Sequence, residues 1–357
     1  MEAARKGFPS ERFEELIGSE NGHVFRIMEV CGTHTMSIAR YGIRDILPSN
    51  VKLVSGPGCP VCVTCNGYID AAVEIAHQKD VITATFGDMV KVPGSACSLA
   101  VARAEGCDIR VVYSPLDCLE IALENPGKRV VFLSVGFETT IPPIALMIIN
   151  SRKAGISNIS VLTGNKTLPA VLEMIVSEKD RLIDGFLYPG HISAITGTAL
   201  YERIADKYGM PGVIAGFEPM DILQAIYLLL SNIIVGRNVA VNCYERVVKS
   251  EGNKKARNVM NQVFEQCDAH WRGIGKVTGS GLKLRQEFSD MDAWRVFNMK
   301  EIETLELSGC ICGDIIMGRS MPGECDLFGK ACTPENPAGP CMVSSEGSCA
   351  AYYRYRI

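Results

Sequence analysis

From about residue 50 to 235 the hydrophobic positions fall into short unbroken runs: VKLVS, VITATF, IRVVY, VVFLSVGF, ISVL, GFLYPG and VIAGF. These runs are mostly rich in β-branched residues, too short for buried helices, and lack the alternation of a strand with one wet face. They predict strands buried on both sides, as in a parallel sheet. The stretches between them read as helices, entered through turns rich in glycine and polar residues: Gly56-Pro57-Gly58, Gly87-Asp88, Ser114-Pro115, Gly136-Phe137-Glu138, Pro189-Gly190-His191 and Gly216-Phe217-Glu218-Pro219. This is the form of repeated βα units. Loops after the strand C-termini of an open parallel sheet gather along one edge. Asp88, Glu138, His191 and Glu218 are therefore expected round a common crevice, either as helix caps or as proton carriers and ligand anchors. The triplet Gly-Phe-Glu occurs at 136 and again at 216, each time after an apolar strand, which points to two similar lobes facing each other.

The pattern changes near Asn242. A charged stretch of helical character, CYERVVKSEGNKKARNVMNQVFEQC, leads into a tail rich in glycine and cysteine. The expected class is α/β, with two similar lobes of mostly parallel sheet facing a cleft and a third, C-terminal, cysteine-rich unit. The expected divisions are 20–126, 127–240 and 241–357, with 1–19 as an optional addition to the last.

Composition narrows the function. The chain has 357 residues, 47% hydrophobic and 21% charged, enough to build several cores. With a net charge of −4 and its basic residues scattered apart from Lys254, Lys255 and Arg257, it offers no field for a nucleic-acid backbone. The opening lacks the apolar core of a signal peptide, and no apolar run reaches the roughly 20 residues of a membrane span. A cytoplasmic protein with no membrane partner is expected. In a reducing compartment, 15 cysteines, an odd number, point to metal ligation or thiol redox chemistry over a disulfide framework.

The tail places Cys325, Cys332, Cys341 and Cys349 among small and kinking residues that let a loop wrap one inorganic centre. Four thiolates suit an iron–sulfur cluster or structural zinc, and the tight C-x2-C knuckles common in zinc sites are missing. Cys310 and Cys312, a C-x-C upstream, are substitute ligands, a redox relay or packed thiols. In SGPGCPVCVTC, Cys59 and Cys62 form a C-x-x-C after a strand, where a helix start favours thiolate and a disulfide can cycle; half a zinc site is the competing reading, and Cys65 keeps it open. Upstream, EVCGTHT sets Cys31 beside Thr33 and His34, which can stabilise a thiolate or hold a ligand.

Taken together, MEVCGTHT, SGPGCPVC, FGDMVKVPG, VGFETT, YPGHISAITG, GFEPMDIL and the tail from Cys325 to Tyr355 closely resemble the HypD family of hydrogenase-maturation proteins over nearly the whole chain. The resemblance implies a redox-active scaffold on which the Fe(CN)2CO moiety of [NiFe]-hydrogenases is assembled, rather than a conventional turnover enzyme. It implies that Cys31 holds the iron, that Cys59 and Cys62 support it by ligation or thiol redox with His34 nearby, and that Cys325, Cys332, Cys341 and Cys349 bind a [4Fe-4S] cluster. The implied partners are the chaperone HypC, which shares the iron, and HypE, which supplies cyanide. An iron–sulfur-dependent disulfide reductase and a zinc-stabilised binding module are the other readings. Two features depart from the resemblance, a thiol at Cys65 and the proline-rich IPPIAL. Cys97, Cys107, Cys118, Cys243 and Cys267 are expected to be mostly packed apolar thiols.

Overall fold

The computed structural model describes residues 11–18, 22–178, 181–299 and 309–356. The seven expected strands all form, as β2 Val51–Ser55, β3 Val81–Thr85, β4 Asp108–Val111, β5 Arg129–Ser134, β6 Ile159–Thr163, β7 Gly185–Pro189 and β8 Gly212–Ala215; β1 Phe25–Glu29 precedes them, and β9 Ala240–Asn242, β10 Phe264–Trp271 and β11 Gly275–Leu284 follow. One sheet has the order β2-β1-β7-β8-β9 and a second β4-β3-β5-β6, with β10-β11 an antiparallel hairpin. All pairings in the two larger sheets are parallel. Strands β3, β7 and β8 are buried at every position, which explains why their sequences do not alternate. The edge strands β4 and β9 are only partly covered.

Numbered along the chain within each sheet, the first has strand order 2-1-3-4-5 and the second 2-1-3-4. The two lobes thus share one doubly wound scheme, in which a crevice opens where the winding reverses, at the C-terminal ends of the two adjoining strands. In the first lobe these are β1, which runs into Val30-Cys31, and β7, which runs into Gly190-His191. In the second they are β3, which runs into Phe86-Gly87-Asp88, and β5, which runs into Val135 to Glu138.

The sheets do not follow the expected sequential division. Residues 20–126 and 127–240 each contribute to both sheets: β1 and β2 pair with β7 to β9, and the segment carrying β3 to β6 is inserted between them. Strand pairing is a long-range choice that local patterns do not record. The part of the opening that lies within 1–10, with residue 19, falls outside the described residues. The stretch expected to stay helical to Cys267 is a helix only over Lys254–Val263 and continues as β10 from Phe264. The proline-rich IPPIAL opens the helix Ile141–Lys153, with proline in its first turn, where the missing amide hydrogen costs nothing. Among the described residues no helix is long and apolar enough to cross a membrane.

Candidate functional site

Cys31 leaves β1 in extended conformation and caps the helix Gly32–Arg40, its Sγ accepting from the Thr33 amide at 3.3 Å. The side chain is 1% exposed. His191 reaches it from the other strand of the winding reversal, with Nε2 3.9 Å from Sγ. Glu346, from the C-terminal tail, accepts from the Thr33 hydroxyl at 2.5 Å. A β-carbon on Gly32 would collide with the Glu346 carbonyl, so only glycine lets the tail close over Cys31. Gly58 is equally constrained, because a β-carbon there would overlap the Val30 carbonyl and crowd the Cys31 α-carbon. The backbone of the GPGC loop therefore lies directly on the residue that presents the Cys31 thiol.

That loop carries Cys59 and Cys62, joined as a disulfide with both sulfurs buried. Ser344 Oγ lies 3.3 Å from Cys59 Sγ and donates to Asp88 Oδ2 at 3.2 Å. The same Asp88 oxygen accepts from the Ser345 amide at 3.0 Å and hydroxyl at 2.9 Å. Tail residues 344–346 thus clamp the disulfide on one side and Cys31 on the other, with Asp88 of the second lobe as the anchor.

Burial dominates the electrostatics. It pushes the Cys31 thiol up to about 12, with the Glu346 charge adding to the effect. The thiol is therefore protonated, which works against the first of the two roles open to Thr33 and His34, stabilising a thiolate, and leaves the second, holding a ligand. Burial also lowers both His34 and His191 to about 4, leaving neutral rings. His34 does not face Cys31: its Nε2 donates to the Gly216 carbonyl at 2.9 Å and its ring lies 4.7 Å from Phe217, which also packs on His191. The helix start expected to activate Cys59 and Cys62 falls instead at Cys65, which caps Asn66–Ala76.

Of the strand-end acids, Asp88 joins the site. Glu138 is buried, accepts from the Leu168 amide at 3.0 Å through Oε1, leaves Oε2 without a partner, and is pushed up to about 7 by burial. It caps the helix Leu168–Ser177. Glu218 is exposed and heads Pro219–Ile234 without a side-chain capping bond. Sequence reasoning missed Glu346, Ser344 and Ser345, although all three lie inside the quoted tail motif as polar residues between cysteines.

The tail brings Cys325, Cys332, Cys341 and Cys349 to one apolar pocket and adds Cys310 and Cys312 to its lining, beside Phe328 and Met342. Cys312 Sγ is 2.8 Å from Cys341 Sγ. Burial raises the Cys349 thiol, and the neighbouring thiols raise it further. Soft sulfur donors in an apolar lining fit a sulfur-ligated iron centre in their chemistry. Among the described residues no group of three or more His, Cys, Asp or Glu is placed to hold a single metal ion. Of the five cysteines expected to be packed, Cys118 is buried while Cys97, Cys107, Cys243 and Cys267 are partly exposed. Cys107 and Cys243 adjoin the edge strands β4 and β9, and Cys267 lies on the β10-β11 hairpin.

The family model of HypD, described as the hydrogenase formation hypA family, matches residues 10–356. The chain is 46% identical over 339 residues to the hydrogenase maturation factor HypD2 of Bradyrhizobium diazoefficiens, covering 93% of this chain and 89% of that protein. It is 44% identical over 338 residues to the hydrogenase maturation factor HypD of Azotobacter vinelandii, with the same coverage. With that of Rhodobacter capsulatus the identity is 43% over 360 residues, covering 99% of this chain and 96% of the relative.

Proposed function

The chain belongs to the HypD family, and on that footing we propose that it is a cytoplasmic hydrogenase maturation factor, a redox-active scaffold on which the Fe(CN)2CO moiety is assembled with HypC and HypE. The observation that carries this reading is the convergence of a single buried thiol, Cys31, with a disulfide and a tail segment that also lines the pocket of cysteines.

Cys31 is the residue for the incoming iron. Its proton must leave when a metal binds. His191 Nε2, a ring nitrogen 3.9 Å away, is neutral, the form in which an imidazole can share a metal. The clamp of Gly58 and Glu346 keeps water from the thiol. Cys325, Cys332, Cys341 and Cys349 would hold a [4Fe-4S] cluster, which when bound supplies one-electron chemistry. The Cys59–Cys62 disulfide takes two electrons and two protons to open to the dithiol, and Ser344, tied to Asp88, lies against Cys59 on a polar route for a proton. Burial of both sulfurs favours this internal role over turnover of external disulfides.

Complementation of a strain lacking its own factor tests the reading. Wild-type protein restores hydrogenase activity, and Cys31→Ala yields a folded protein that retains tail-bound iron but restores none. Full activity with Cys31→Ala overturns it.

A further inference from the structure

Arg272 has no place in the scheme above. It lies in the turn between β10 and β11 and is 2% exposed. Its amide donates to the Val63 carbonyl at 3.0 Å, and Nη1 donates to Asn66 Oδ1 at 2.6 Å. Both partners closely follow Cys62. Nε has no hydrogen-bond partner. The acceptor Arg272 does have is a neutral amide, and it forms no ion pair among the described residues.

The other end of this turn meets the cysteine pocket. Gly273 packs on Gly313 so tightly that neither position admits a side chain. A β-carbon on Gly339 would lie 3.5 Å from Cys310 Sγ and 4.0 Å from Arg272 Nη2, so thiol and guanidinium flank the same residue.

A guanidinium does not shed its proton, and a buried charge is costly unless an opposite charge meets it. A cluster ligated by four thiolates is anionic, and more so once reduced. We propose that Arg272 is the counter-ion of the cluster carried by this pocket, a positioning residue whose fixed charge stabilises the reduced cluster and raises its potential. The inference rests on the cluster reading of the tail. The same side chain bonds the segment after Cys62, so one residue spans the electron donor and the disulfide it would serve. Cluster potentials respond to net charge and to hydrogen bonds at the sulfurs, which gives this position leverage.

Anaerobically purified full-length protein is assayed for iron and sulfide and then titrated against ambient potential by electron paramagnetic resonance, as wild type, Arg272→Gln and Arg272→Lys. Wild type without cluster iron and sulfide refutes the cluster reading before any variant is considered. With the cluster present, Arg272→Gln is expected to lower the reduced-to-oxidised ratio at a fixed potential about ten-fold, equivalent to about 59 mV for one electron. Arg272→Lys stays near wild type. Loss of the cluster from Arg272→Gln but not from Arg272→Lys also supports a charge role. An unshifted potential in Arg272→Gln, or loss of the cluster from both variants, overturns the proposal.

Discussion

Replacing Glu138 with glutamine separates a buried helix cap from a proton carrier. The carboxyl is 4% exposed, has one oxygen bonded to the Leu168 amide and one without a partner, and is raised by burial from 4.5 to about 7. A carboxyl raised in the folded state binds more protons there than in the unfolded chain. Its contribution to stability is therefore complete below the unfolded value and is lost as pH rises through the folded one. At 1.36 kcal/mol per unit the full contribution is about 3 kcal/mol, of which about 2.5 kcal/mol disappears between pH 5 and pH 8. Glutamine keeps the oxygen that caps Leu168 and removes the titration. Urea midpoints of wild type and Glu138→Gln, measured every half unit across that range, should diverge as pH rises, with the variant the more stable at pH 8. A difference between the two proteins that stays constant with pH would refute the burial argument.

Three further outcomes follow from the contacts. Gly58→Ala forces the GPGC loop off Val30 and Cys31, and hydrogenase maturation in a complementation assay should fall at least ten-fold while far-ultraviolet circular dichroism is unchanged. Arg44→Met strips the partner, 2.6 Å away, from the fully buried Glu29 carboxylate, and should cost about 3 to 5 kcal/mol in urea unfolding, much of it recovered in the double variant with Glu29→Met. Asp88→Ala releases the three hydrogen bonds that hold Ser344 and Ser345, and hydrogen exchange should quicken at residues 344–346 but not in β3.

The apolar runs located β2 to β8 because strands buried on both faces cannot alternate, and that signal is local. Which strands pair is decided by packing between distant segments, so the insertion of the second lobe between β2 and β7 left no local trace. The site was legible where glycine and cysteine mark it: Gly32, Gly58, Cys31 and the C-x-x-C all lie in the motifs. His191 and Asp88 were placed on the right strand ends, and the winding reversal brings His191 to Cys31. Protonation was not legible, because neighbours in sequence left a stabilised thiolate and a ligand-holding group equally open, whereas burial, a property of the whole fold, raises the Cys31 thiol and leaves the histidines neutral. Arg272 and Glu346 were invisible as single charged residues in polar stretches, and only tertiary contacts give them roles.

Infrared spectroscopy of the anaerobically purified protein with co-expressed HypC, in the region of metal-bound cyanide and carbonyl, tests the central claim most directly. The account predicts cyanide and carbonyl bands in wild type and their complete loss in Cys31→Ala, with cluster iron and sulfide unchanged. Bands of undiminished intensity in Cys31→Ala would contradict it, because the iron would then be held elsewhere.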